Sequence, residues 1–238
     1  MIDFHSHILP NIDDGAKDIE QSVELVSEAQ NVGFTGIIST SHYIQGYYEY
    51  NEMQRNKLLD DLRVQIKNNF ENFELYLGSE IYADMEILDF IKDKKASTIN
   101  NSKYVLFEFP LNTKPLFAEK LVYELISNGY IPVIAHPERY SYVQENLKFI
   151  EELVQMGALL QCNYGSIIGM YGHKAKKIFK ELLKKDMVKF MGSDVHRVGQ
   201  VYPLIPKILK KMKKIISEEK LNEITTLNPE KVLKNEII

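Results

Sequence analysis

The sequence predicts an α/β fold of seven parallel strands alternating with helices, closed into a TIM-like (β/α) barrel, with an open parallel sheet as the alternative. Three observations point there. Seven short apolar runs alternate with stretches of helical periodicity, as in parallel strands covered on both faces. A length of 238 residues suits one such domain spanning 1–238. Six of the seven runs end on a histidine or an acidic residue, and parallel barrels gather their active sites at strand ends.

The elements follow in order. Ile2 and Phe4 open a strand that runs out through His5-Ser6-His7, where residues two apart share a face. Pro10 stops it, and Asp13-Asp14-Gly15 is a turn that brings carboxylates back. Ile19, Val23, Val26 and Ala29 recur at helical spacing up to Gly33. Strand two is 36–40, ending at His42. Met53, Leu58, Leu59, Leu62 and Ile66 predict the next helix. Strand three is 73–77, exiting at Glu80, and a helix around Met85, Leu88 and Ile91 follows. Strand four, 104–107, ends at Glu108, and a helix from Leu116 stops at Gly129. Strand five, 131–135, ends at His136, and 147–157 is helical. Strand six, 158–162, ends at Asn163-Tyr164 with no ligand type. A lysine-rich helix covers 173–185. Strand seven, 188–191, leads into Asp194 and His196, and helices at 205–216 and 229–234 close the chain.

Composition excludes several classes. A net charge of −4 provides no global basic field for nucleic acid. The lone Cys162 cannot form an internal disulfide, which suits a reducing compartment. No apolar run reaches the roughly 18 residues of a membrane span, and no leader pattern is visible at Met1. The expectation is a cytoplasmic protein without membrane insertion.

The strand ends together offer His5, His7, Asp14, His42, Glu80, Glu108, His136, Asp194 and His196. Five of the six histidines belong to this set; His173 is the exception. Polar loops alone would scatter histidines over the helices as well. Carboxylates crowded into one mouth repel, by roughly 4 kcal/mol per pair at about 4 Å and an effective dielectric of ~20. Cations among them relieve that cost. Nine N/O donors exceed the needs of one ion, so two or three divalent ions are expected, with Mn, Fe and Zn all compatible. Such clusters hydrolyse phosphate esters through activated water. The predicted reaction forms no phosphocysteine, since Cys162 lies in an apolar strand. Arg139, three residues past His136, can fork onto a phosphate or pair with Glu138 or Glu145 at the surface. Arg197, beside His196, is the second anion candidate.

These residues resemble a known family. His5-Ser6-His7, Asp13-Asp14-Gly15, Ser39-Thr40-Ser41-His42, Gly78-Ser79-Glu80, Glu108, His136-Pro137-Glu138-Arg139-Tyr140 and Ser193-Asp194-Val195-His196 resemble the polymerase-and-histidinol-phosphatase (PHP) superfamily. Within it they are similar to the manganese-dependent protein-tyrosine phosphatases of bacterial capsule and exopolysaccharide clusters (CpsB/CapC type). The match runs from Met1 to about His196. It implies a PHP-type distorted barrel with a trinuclear Mn centre. It also implies three groupings: His5, His7, Glu80 and Asp194; Glu80, Glu108 and His136; Asp14, His42 and His196. Arg139 matches the family's phosphate-binding arginine. The implied substrate is a phosphotyrosyl protein, the tyrosine-rich tail of a bacterial tyrosine autokinase. One departure stands out: the family pattern has another arginine several residues after Asp-x-His, whereas 198–202 has none. Arg197 is the available substitute.

Two features admit two readings each. Tyr43, Tyr47, Tyr48 and Tyr50 either line a slot for a phosphotyrosine ring, with Tyr47 and Tyr48 as substrate contacts, or cover the rim. Lys207, Lys210, Lys211, Lys213 and Lys214 form either a partner-binding or a solvated helix face. Competing functions are a small-molecule phosphatase, such as one for histidinol phosphate, and a non-catalytic, metal-holding regulator of the kinase.

Overall fold

The computed structural model describes residues 1–67, 69–70 and 72–238. Its strands, all paired in parallel, are β1 (Ile2–Ser6), β2 (Gly36–Ser39), β3 (His42–Tyr43), β4 (Glu74–Leu77), β5 (Glu80–Tyr82), β6 (Tyr104–Glu108), β7 (Ile131–Ala135), β8 (Leu159–Asn163) and β9 (Val188–Gly192). The connecting helices are α1 (Ile19–Asn31), α2 (Glu52–Ile66), α3 (Ile87–Lys92), α4 (Ala118–Ser127), α5 (Ser141–Glu145), α6 (Lys148–Gln155), α7 (Gly172–Lys184) and α8 (Ile205–Met212). The chain closes with α9 (Glu218–Asn222) and α10 (Asn228–Leu233).

Each of the seven expected strands is present, but two are divided. Thr40-Ser41 separates β2 from β3, and Gly78-Ser79 separates β4 from β5. The strands therefore form two parallel sheets, β1-β2-β4 and β3-β5-β6-β7-β8-β9, not one uninterrupted ladder. Hydrogen bonds still cross the breaks: Thr40 N donates to Ser6 O at 2.8 Å, and Glu80 N to Thr40 O at 3.0 Å. Gly78 is needed at its break, because a Cβ there would meet Ile99 Cδ1 at 2.7 Å.

The outer edge of each sheet meets the other where β1 passes the end of β9. Asp194 N donates to His5 O at 2.8 Å and His7 N to Val195 O at 3.1 Å. Asp3 ties this seam from behind. Its buried carboxylate accepts from Ser193 N and from Tyr202 Oη, each at 2.7 Å. Burial pushes the Asp3 carboxyl up, while the bonds from Ser193 and Tyr202 oppose that push.

Side-chain alternation explains where the site sits. A small apolar cluster of Ile2, Phe4, Ile38, Tyr104, Leu106, Val133, Ala135 and Phe190, closed by Ile99 and Val232, fills the inner face. A larger cluster joins the opposite face to the helices, as with Ile37, Val105, Ile134 and Leu160 against Leu25, Leu121 and Leu153. Two residues beyond the last inner apolar position of β6 and β8 the side chain turns polar: Leu106 leads to Glu108, and Leu159 to Gln161 and Asn163. The inner face is thus greasy at its base and polar at the strand exits. β1 departs from strict alternation. Its register against β2 shifts between Asp3 and Ser6, so Phe4 stays in the apolar cluster while His5 and His7 enter the polar layer.

Removing the seam carboxylate leaves a buried N–H and a buried hydroxyl unpaired. Asp3→Ala is expected to lower unfolding free energy by about 2 kcal/mol, and Tyr202→Phe by about 1 kcal/mol. Urea denaturation of the two variants checks the order and size.

Candidate metal centre

Glu80, the first residue of β5, is fully buried and touches four imidazoles from three different strand exits. Its Oε2 lies 3.1 Å from His5 Nε2, 3.3 Å from His7 Nε2 and 3.2 Å from His42 Nδ1. Its Oε1 lies 2.7 Å from His136 Nε2. Donor atoms of His5, His7, Glu80 and Asp194 all fall within 4.8 Å of one another. So do those of His7, Asp14, His42 and His196, and those of His42, Glu80 and Glu108.

The first grouping is the one expected. The third gains His7 as a further neighbour. In the second, His42 takes the place expected for His136, which sits slightly apart, 3.7 Å from Glu108 Oε2. His42 lies at the start of β3, directly opposite Glu80 in the sheet, and so reaches two groupings at once.

The hydrogen-bond network fixes how several rings present themselves. His5 Nδ1 meets Gln161 Oε1 at 2.8 Å; the Gln161 amide nitrogen is already donating to Asn163 Oδ1 at 2.9 Å. His7 Nδ1 meets Asp13 Oδ2 at 2.8 Å, and His196 Nδ1 meets the Asp194 carbonyl at 2.9 Å. All three partners are acceptors, so each Nδ1 carries the hydrogen and each neutral ring turns a bare Nε2 lone pair inward. His5 and His7 Nε2 then face each other at 3.1 Å. His196 Nε2 faces Asp14 Oδ1 at 3.2 Å. Acceptors converge on acceptors, and the buried Nδ1 atoms of His42 and His136 have no hydrogen-bond partner. Positive charge between these atoms is the missing element, and the all N/O donor set fits divalent ions.

Ionisation follows the same logic. Burial favours a neutral Glu80, but His5 and His42 outweigh it and hold its carboxyl well below the usual range. Burial likewise opposes ionised Asp194, yet His7, His5 and Arg139 hold it low. Glu108 goes the other way. Burial, and then the charges of Glu80 and Asp194, push its carboxyl well up. Burial and His7 drive His42 down to about 4, against the pull of Glu80. Burial would lower His7, but Asp13, Asp194 and Glu80 raise it strongly. The carboxylates therefore draw positive charge to the very nitrogens that converge.

Two of the nine residues have left-handed backbones, His136 at φ 33° and Asp194 at φ 52°. Such non-glycine geometry is costly and persists where the surroundings impose it. Around His136 the imposition is visible. Tyr140 Oη donates to Ala135 O at 2.7 Å and accepts from Phe109 N at 2.9 Å. Glu138 is buried and accepts from Asn163 N at 2.8 Å and Ser166 Oγ at 2.7 Å. The alternative Arg139–Glu138 surface pair is therefore not formed. Arg139 donates to Asp194 Oδ2 at 2.6 Å and lies 4.8 Å from the Tyr171 ring centroid. It opens onto a cavity of about 610 Å³ shared with Asp14, Met170, Tyr171, His196 and Arg197. Arg197 is differently engaged: its Nη1 donates to the carbonyls of Asp14, Gly15 and His196.

Residues 1–234 match the family model for capsular polysaccharide synthesis proteins CpsB/CapC. The chain belongs to the CpsB/CapC family. It is 37% identical over 202 residues to a putative tyrosine-protein phosphatase CapC of Staphylococcus aureus, covering 83% of this chain and 78% of that protein. It is 34% identical to the tyrosine-protein phosphatase YwqE of Bacillus subtilis, covering 100% of this chain and 93% of the relative. A crystal structure from work on YwqE and on CpsB of Streptococcus pneumoniae, described as unique metal-dependent tyrosine phosphatases, superposes with a TM-score of 0.92. It is 34% identical and spans 100% of this chain and 96% of that one. No helix among the described residues is long and apolar enough to cross a membrane.

Some of this CpsB/CapC site escapes a search for ligand types. Asp13 is buried behind His7, and its carboxylate also accepts from His42 N and Gly15 N, each at 2.9 Å. Burial alone would raise it; His7 instead holds it far below the usual range. Gly15 has no room for a side chain, since a Cβ would collide with His7 O and lie 2.6 Å from its Cβ. On β8, Gln161 and Asn163 link His5 to Asp194, whose Oδ2 accepts from Asn163 Nδ2 at 2.7 Å. Their signal was polar residues two apart in an otherwise apolar run. The tyrosines separate. Tyr43 is buried against Phe90, Tyr48 stacks on His42, and Tyr47 is 74% exposed. Neither Tyr47 nor Tyr48 lines the cavity beside Arg139.

Carboxylates that orient a liganding imidazole typically contribute about 10- to 100-fold to metal affinity. Asp13→Ala is expected to weaken divalent-ion binding by that factor while the protein still folds. Calorimetric titration of the metal-stripped protein measures it, and unchanged affinity counts against the role given to Asp13.

Proposed function

We propose that this chain is a metal-dependent phosphomonoesterase that removes phosphate from phosphotyrosine in proteins. One observation carries the reading. Four imidazoles from three strand exits converge on Glu80, beside a guanidinium that opens onto a cavity. The names of the CpsB/CapC relatives support the substrate class.

Three sets of residues would hold the ions: His5, His7, Glu80 and Asp194; His7, Asp14, His42 and His196; and Glu80 with Glu108, His42 and His136. Bound divalent ions would supply an activated water and charge for the phosphoryl oxygens. We read the native metal as Mn2+, with Fe or Zn as the chemically admissible alternatives. The chain's own contributions are positional. Arg139, fixed between Asp194 and the Tyr171 ring, offers its remaining N–H groups to non-bridging oxygens of the phosphate. Arg197 clamps the Asp14-Gly15 turn and so sets Asp14 against His196; its free edge faces the same cavity and is our second phosphate contact. Tyr47 and Tyr48 are at most an outer wall for a peptide, because the cavity itself is walled by Met170, Tyr171 and Val201. Cys162 takes no part: it is buried in the larger core, and burial pushes its thiol well up.

We further read residues 1–238 as one domain. Its two sheets make a single distorted seven-stranded barrel of PHP type, joined at β1 and β9 by the Ser6–Val195 bridge. The substrate in this reading is the tyrosine-rich tail of a bacterial tyrosine autokinase, and the compartment is the cytoplasm.

His136→Ala or chelation is expected to abolish hydrolysis of p-nitrophenyl phosphate, whereas Cys162→Ser retains it; equal activity in both variants refutes the mechanism. Arg139→Ala is expected to cut kcat/KM by about 100-fold, the scale of one preorganised transition-state donor. Turnover of a phosphotyrosyl peptide well above that of histidinol phosphate separates the protein phosphatase from a small-molecule enzyme.

A further inference from the structure

Residues 172–214 hold thirteen lysines and arginines against three acidic residues, in a chain whose net charge is −4. Most of that charge lies on α7 and α8. The two helices begin at the rim of the site: Met170 and Tyr171, which line the cavity beside Arg139, directly precede α7, and Gln200 and Val201, also lining it, shortly precede α8. The short helical turn 164–168 packs against both helices. Their apolar sides, Ala175, Ile178, Phe179, Leu182 and Leu183 on α7 and Ile205, Ile208 and Met212 on α8, are buried. Their lysines face outward together.

Lys176, Lys180, Lys207 and Lys214 all act on Lys211, which lies between them; slight burial and these four charges lower its ammonium. None of the five is within ion-pair distance of a described carboxylate. Lysines nearby do find partners: Lys185 pairs with Glu151, Lys213 with Glu218 and Lys220 with Asp186. Along α7 a cleft of about 470 Å³ is lined by His173, Lys176, Lys177, Lys180 and Lys184, with Glu181 as its one acid. Unpaired like charges side by side are unfavourable, so the arrangement suits an anionic occupant.

We propose that the lysine face of α7 and α8 is a second substrate-binding surface, which takes an acidic or further phosphorylated stretch of the same peptide whose phosphotyrosine enters the metal site. The proposal rests on the phosphatase reading above. An extended peptide is favoured over an anionic membrane because the large apolar side chains of α7 and α8 are buried or half-buried against the core. Continuity with the cavity also sets the reach. Lys176 and Lys180 lie about 6 and 12 Å along α7 from Gly172 at ~1.5 Å per residue. An extended peptide advances ~3.3 Å per residue. The lysines therefore meet side chains roughly two to four residues from the phosphotyrosine.

The test compares the Mn2+-loaded protein with the variant carrying Lys176→Gln, Lys180→Gln, Lys207→Gln, Lys211→Gln and Lys214→Gln. Substrates are a phosphotyrosyl peptide with glutamates about two to four residues from the phosphotyrosine, the same peptide with glutamines, and p-nitrophenyl phosphate. The wild type is expected to show a KM about ten-fold lower for the acidic peptide at low salt, an advantage that fades as salt is added. The variant is expected to lose that advantage, with kcat and p-nitrophenyl phosphate turnover unchanged. A variant that keeps the preference overturns the proposal. So does wild-type binding to phosphatidylglycerol vesicles that the variant loses while peptide KM values stay the same, which would assign the face to membrane. Fluorescence anisotropy with the acidic peptide separates the two readings. Lysine-dependent binding without phosphate release under any divalent ion keeps the surface and overturns the phosphatase.

Discussion

Glu80 is the point on which the structure turns. One buried carboxylate contacts imidazoles of His5, His7, His42 and His136, which come from three separate strand exits. An unpaired charge at such a depth is costly, and imidazoles whose other nitrogen is already committed to an acceptor present lone pairs rather than hydrogens. The arrangement is self-consistent only with positive charge among these atoms. Everything around it serves to hold that geometry: Asp13 behind His7, Gln161 behind His5, and Asn163 on Asp194.

Much of this was legible in the residue order, for a definite reason. Parallel strands are short apolar runs, their exits are abrupt, and the side chains there are the ones the inner face receives next. That logic named nine residues without any knowledge of distance; eight of them fall in the three groupings, and His136 lies 2.7 Å from Glu80 Oε1. It failed where pairing geometry decides. Period-two spacing cannot show that Thr40-Ser41 and Gly78-Ser79 divide two strands, because the breaks follow from cross-strand bonds such as Glu80 N to Thr40 O. Nor can it show that His42, directly opposite Glu80, stands closer to Glu108 than His136 does. The supporting residues were hidden for a different reason. Gln161 and Asn163 are not ligand types, and their importance lies in bonds to His5 and Asp194 from across the sheet.

The distribution of charge carries its own argument. The mouth gathers Asp14, Glu80, Glu108 and Asp194, so the bare protein would repel a phosphate ester from the place where the ester must sit. Cations held there would reverse that sign locally, and Arg139 would extend the reversal to the cavity wall. Glu108 shows how finely the balance is drawn: burial and its acidic neighbours push it toward the neutral form, so its carboxylate is the one most in need of a bound cation.

Asp194 joins the two halves of this device. One of its oxygens lies among the donors, 3.7 Å from His5 Nε2 and 3.5 Å from His7 Nε2. The other accepts from Arg139 Nη1 and Asn163 Nδ2. Its left-handed backbone, held by the Asp194 N to His5 O bond across the seam, sets both directions at once. A shift at Asp194 would therefore move the proposed ion site and the proposed phosphate contact together. Because Asp3 fixes Ser193 immediately before it, the register between β1 and β9 is transmitted directly to the arginine. The seam between β1 and β9 and the most demanding chemistry of the fold thus share a single residue.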